Sequence, residues 1–80
     1  MIAIRGPSYG LARPCDLYGA DLTGAKFVHA NLFNLNLEEA NLTNADFTNA
    51  DLTYADLSGA NISGAIFKGA ILDRIVGYSP

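Results

Sequence analysis

The amino-acid sequence predicts an all-β solenoid, a four-sided coil of about three turns built from twelve five-residue repeats. Three observations carry this. One phrase (Ala, Asp or Asn, a large apolar residue, two small or polar residues) recurs without a gap through ANLTNADFTNADLTYADLSGANISGA, residues 40–65. The second residue after each large apolar one is often Gly or Asn, the residue types that tolerate a left-handed corner. Phe27, Phe47 and Phe67 stand 20 residues apart, so four repeats complete one circuit.

Taking the large apolar residue as the centre of each repeat, centres fall at Leu17, Leu22, Phe27, Leu32, Leu37, Leu42, Phe47, Leu52, Leu57, Ile62, Phe67 and Leu72. Two residues before each centre lies Ala, except at Cys15 and Leu35. A helix fails, because five residues overshoot one turn by about 140° and scatter the centres around the cylinder. A continuous strand fails as well, because an odd repeat sends successive centres to opposite faces. A very short extended segment followed by a turn is what remains. Circuits stacked by backbone hydrogen bonds at about 4.8 Å each give a body roughly 15 Å tall. Its inward ladders are Leu17-Leu37-Leu57, Leu22-Leu42-Ile62, Phe27-Phe47-Phe67 and Leu32-Leu52-Leu72.

The repeats Ala-Asn-Leu-Thr-Asn, Ala-Asp-Phe-Thr-Asn, Ala-Asp-Leu-Thr-Tyr, Ala-Asp-Leu-Ser-Gly and Ala-Asn-Ile-Ser-Gly resemble the pentapeptide-repeat family. The resemblance covers residues 15–74 and implies a right-handed quadrilateral β-helix. Members of that family are widespread in bacteria and abundant in cyanobacteria, mostly without a known activity. One subset, the quinolone-resistance proteins, resembles DNA in shape and charge and binds DNA gyrase.

The domain division follows: 1–14 as an N-terminal capping segment, 15–74 as the repeat coil and 75–80 as a C-terminal tail. A stacked array has unpaired edges at its ends, which need covering. Ile2, Ile4 and Leu11 are available to cover the first circuit, whereas Ile75-Val76-Gly77-Tyr78 is less able to shield the last. Pairing of two chains through their C-terminal coil ends, a homodimer, is therefore expected.

Composition narrows the function classes. The 80 residues carry a formal charge of −3 with five Lys and Arg in all, which argues against direct nucleic-acid binding or an anionic-membrane footprint. No apolar run approaches the roughly 20 residues of a membrane span, and no export signal is seen, so a cytoplasmic location is expected. Asn41-Leu42-Thr43 and Asn61-Ile62-Ser63 match the glycosylation triplet but read as repeat residues. Cys15 is the single cysteine, set in an inward register, and His29 the single histidine, read as a solvated turn residue. No metal site, cofactor or phosphate loop is expected: Gly64 and Gly69 have the loop's spacing, but Ala70 and Ile71 follow where Lys and Ser or Thr would be required.

Departures from the repeat mark the candidate surfaces. Leu35, between the small Cys15 and Ala55 in its column, fills space and bends the coil slightly. The first two sides carry Asp16, Asp21, Glu38, Glu39 and Asp56 without Lys or Arg, an acidic flank. The Asp residues belong to the repeat and bond neighbouring backbone, while Glu38 and Glu39 lie outside its rule. An acid–base pair needs a cleft that shifts one pKa, which a convex coil does not offer, so catalysis is not expected. On the third and fourth sides Val28, Phe33, Ile66 and Ile71 occupy outward positions, with Tyr54 near them. Such a patch marks a protein-contact surface or a place where the N-terminal arm or tail folds across. The leading expectation is a non-enzymatic structural or protein-interaction module with no cofactor, presenting a rigid surface to a protein partner. The alternative is a DNA-mimicking binder of DNA gyrase, although about 15 Å of coil matches only four or five base pairs.

Overall fold

The computed structural model describes residues 16–79. The capping segment 1–14, Cys15 and Pro80 lie outside the described residues. Each repeat contributes one bridging residue, the Asp or Asn position, and the bridges are parallel and 20 residues apart, from Asp16↔Asn36 and Asp21↔Asn41 to Asp51↔Ile71 and Asp56↔Val76. The extended segments are too short to form longer strands because a turn interrupts every repeat.

The turn is the same throughout. The N–H of the residue that begins the next repeat donates to the carbonyl of the preceding centre, as in Ala20 to Leu17 at 3.0 Å and Ala50 to Phe47 at 3.0 Å. Every fifth residue from Gly19 to Arg74 has positive φ, and the slot is filled by glycine, by Asn34, Asn44 and Asn49, and also by His29, Glu39, Tyr54 and Arg74. This left-handed corner resets the chain so that each odd-length repeat again points its centre inward.

Circuits are joined by three recurring hydrogen bonds. Each centre N–H donates onward to a bridging-position carbonyl (Leu42 to Asn61, 2.7 Å), and each second corner N–H donates onward to the carbonyl of a first corner residue (Asn44 to Ser63, 2.8 Å). Each bridging-position N–H donates back to an Ala-position carbonyl, as in Asn61 to Ala40 at 2.9 Å. The core is the inward column set: Leu37, Ala40, Leu42, Ala45, Phe47, Ala50, Leu52, Ala55 and Leu57 are buried, while Leu17, Leu22, Ile62, Phe67 and Leu72 at the two ends are only partly covered. The phenylalanine ladder is a continuous stack, with ring centroids 5.1 Å apart and planes 7° and 6° from parallel. Leu35 is 1% exposed, so its column absorbs a large residue within the core.

The tail departs from the sequence reading, which gave it little power to shield the last circuit. Pairing runs on past Arg74: the Val76 N–H donates to Ala55 and the Val76 carbonyl accepts from Leu57. Gly77 then occupies the slot of a large apolar centre with φ of 74°. A Cβ there would stand 2.5 Å from the Ser58 amide nitrogen and 2.6 Å from its Cα. The chain passes this close only because the side chain is missing. Tyr78 follows and meets Phe67 edge-on, centroids 5.1 Å apart.

Candidate interaction surface

The aspartates of the acidic flank hold their own turns. Oδ1 of Asp16 accepts from the Tyr18 N–H and from Nδ2 of Asn36, both at 3.1 Å, and Oδ1 of Asp56 accepts from the Ser58 N–H at 2.9 Å. Oδ1 of Asp21 accepts from both the hydroxyl and the N–H of Thr23. Asp46 with Thr48 and Asp51 with Thr53 repeat this bidentate arrangement on the other flank. In each Thr pair the hydroxyl, and then the backbone N–H, favours the ionised carboxylate and holds the aspartate below its usual pKa, with Lys26 adding a smaller pull on Asp46. These carboxylates are structural acceptors first.

Glu38 and Glu39 take different places. Glu38 is half-buried and its N–H donates to Oδ1 of Asn36 at 2.9 Å. Asn36 is 3% exposed with both ends of its amide engaged, a buried polar bridge between circuits that the repeat rule alone does not single out. Glu39 stands at a corner with φ of 60°, its carboxylate lying where a Cβ of Gly59 would be. Asn44 over Gly64 and Asn49 over Gly69 do the same. In these three columns a glycine in one circuit makes room for the corner side chain of the circuit before it.

The fourth corner column, Asn34-Tyr54-Arg74, has no glycine. There the Phe33 ring meets the Tyr54 ring edge-on, centroids 5.6 Å apart and planes at 80°. The Arg74 guanidinium carbon lies 6.0 Å from the centre of the Tyr54 ring, at the limit of cation–π range. Phe33 is 56% and Tyr54 48% exposed, so the pair forms a ridge in solvent.

The five patch residues are all exposed, yet the structure does not gather them into one surface. Phe33 and Tyr54 touch. The 20-residue register sets Ile66 beside Asp46 and Ile71 beside Asp51. Val28 shares its column with Thr48 and Lys68, since the same register runs through it. Polar residues thus interleave with Val28, Ile66 and Ile71. Arg74 joins the ridge although the sequence places it on this flank as a charge beside Lys26 and Lys68 and not in the apolar patch; its place 20 residues after Tyr54 is the available signal. Tyr18 and Val76 are further exposed large apolar residues that reading passed over. Among the described residues no cluster of His, Cys, Asp and Glu is arranged to hold a metal ion, and no helix is long and apolar enough to cross a membrane.

Comparison with known proteins agrees with this architecture. A family model described as pentapeptide repeats (8 copies) matches residues 15–34 and 30–69. A pentapeptide repeat protein from the cyanobacterium Cyanothece 51142 has a similar solved structure, with a TM-score of 0.75 and 37% sequence identity, over 80% of this chain and 44% of that one. A pentapeptide repeat protein from the thylakoid lumen of Arabidopsis thaliana is similar with a TM-score of 0.51 and 39% identity, over 72% of this chain and 44% of that one. The chain thus matches less than half the length of either relative. No curated protein matches. The chain belongs to the pentapeptide-repeat family, as its register, its corners and the matched residues require.

Proposed function

We propose that this chain is a non-enzymatic protein-interaction module, twelve repeats in about three coils of a right-handed β-helix, which presents the ridge of Phe33, Tyr54 and Arg74 to a protein partner. The observation that supports it is the corner column without glycine: its aromatic and cationic side chains lie against one another and against Phe33 across the circuits, exposed on one side of the coil. Aromatic residues and Arg are the types that anchor protein interfaces, and a ridge already ordered by its own contacts loses little freedom on binding. Ile71, on the same side of the coil as Phe33 and Tyr54, is an exposed rim contact in this reading. A homodimer through the C-terminal coil ends is a narrower proposal, because the tail covers part of that end and leaves the region beside Ile62 for contact.

The test is capture of partners from a lysate of the source cells with the wild-type chain and with Phe33→Ser combined with Ile71→Ser, each compared with Thr43→Ser on another side. The reading expects at least one partner held by wild type and Thr43→Ser and lost from the double variant, with the melting temperatures little changed. Identical captured sets for all three chains would sink it.

A further inference from the structure

The tail starts a further layer above the last circuit and fills it only in part. Val76 pairs with Asp56 on the first side. Across the coil the Tyr78 ring stands 5.1 Å from Phe67, the same spacing that separates successive rings of the phenylalanine ladder. Between these two contacts lies the second side of the last circuit, residues 60–64, which borders a shallow open concavity of about 630 Å³ with Ile62, Phe67, Tyr78 and Ser79 in its wall. That volume falls within the ~300–1,000 Å³ of ligand clefts. The two ends of the coil differ here: Phe27 and Leu32 at the first circuit are buried, whereas Phe67 and Leu72 in the same columns, and Ile62 beside them, are only partly covered.

The second side turns a defined set of main-chain groups toward that layer. One circuit earlier the same positions are fully used: the Leu42 N–H donates to the Asn61 carbonyl at 2.7 Å, the Asn44 N–H to the Ser63 carbonyl at 2.8 Å, and the Ala40 carbonyl accepts from the Asn61 N–H at 2.9 Å. Twenty residues on, the N–H groups of Ile62 and Gly64 and the carbonyl of Ala60 make no such bond among the described residues. Since the earlier set is answered entirely by residues 61–63, a segment of three residues answers this one. Its first residue gives an N–H to Ala60 and a carbonyl to Ile62, which excludes proline there, and its third gives a carbonyl to Gly64. The middle side chain then points inward, as Ile62 does, into the space beside Phe67 and Tyr78. Exposed edges take extended peptides in this manner, with main-chain bonds supplying affinity and the inward side chain supplying selectivity.

We propose that residues 60–64 are a docking edge for an extended peptide segment of a partner protein, joined as a parallel strand, in which a non-proline residue precedes a large aliphatic one that packs beside Tyr78. A second copy of the chain fits this ground less well. Its coil end carries the same raised tail, and two such tails meeting face to face hold the edges at least a layer apart. The edge lies on a different side of the coil from the ridge of Phe33, Tyr54 and Arg74, so the proposal stands or falls separately from that surface.

The experiment follows the backbone amide resonances of the isotope-labelled full chain during titration with acetyl-Ala-Asn-Leu-Thr-Asn-amide, the phrase that fills this side at residues 40–44. Two further peptides serve as controls, one N-methylated at its first Asn and one with Asp in place of Leu. The expected result is a saturable shift of the Ile62 and Gly64 amides with the parent peptide, and binding weaker by roughly tenfold or more with either control, as loss of one main-chain bond or of the aliphatic contact demands. Absence of a saturable shift at those two amides overturns the proposal, and so does equal binding by all three peptides. Movement of the same amides when the chain alone is concentrated also overturns it, because a second copy is then the occupant.

Discussion

Every fifth residue from Gly19 to Arg74 has positive φ, and the chain fills that slot in two chemically different ways. Glycine and asparagine sit there at little cost, whereas His29, Glu39, Tyr54 and Arg74 each hold a side chain against the steric preference of an L-residue, at about 1 kcal/mol apiece. Tyr54 and Arg74 recover something from their mutual contact and from Phe33. His29 is exposed and has no such aromatic or cation–π contact among the described residues. His29→Gly is therefore expected to raise stability by about 1 kcal/mol, read as a higher urea midpoint at unchanged slope; an unchanged or lower midpoint would show that the imidazole supports the corner. The corner positions were legible because Gly and Asn dominate them. The stack at Tyr54 was not, because a lone Tyr in a repeat carries no sign of which neighbour lacks a glycine.

At the scale of one side of the coil, the unit is an Asx residue whose Oδ1 caps the turn two residues on. Asp21, Asp46 and Asp51 are held below the usual aspartate value of 3.8 by their Thr hydroxyls and N–H groups. Their contribution to stability is whole above that value and is lost as pH falls through the lower folded value, because the unfolded chain then binds protons first. Asn41 makes the same two bonds with Thr43 and carries no proton to titrate. Replacing the three aspartates by asparagine should leave the neutral-pH urea midpoint near wild type and flatten its decline below pH 3.8. A triple variant that loses stability with acid as steeply as wild type would place the sensitivity elsewhere. This capping role was readable in the sequence from the repeat itself. Asn36 was not separable there, since it fills the same bridging slot as Asn41, which is bridged on both sides as well and yet is exposed.

The whole molecule behaves as a short one-dimensional stack, in which only circuit 36–56 is bridged on both edges among the described residues. Leu42 is fully buried there while Leu22 sits half-buried at one end. Leu42→Ala should therefore cost about 2–5 kcal/mol and Leu22→Ala visibly less, measured as denaturation midpoints; equal losses would mean that residues before position 16 cover Leu22 as completely as a circuit does. The periodic phenylalanines made the register legible, but the path of the tail escaped because Gly77 fills a centre slot and only coordinates show which way the chain leaves it. The fivefold step of the corners also governs how such a chain can change length. Losing or gaining five residues keeps every inward residue inward and turns all that follows by one side. Deletion of one repeat between Phe47 and Phe67 would set that ring under Leu42 instead of Phe47. A lineage can thus swing one surface feature around the axis in quarter-turns, by indels alone, without redesigning the core.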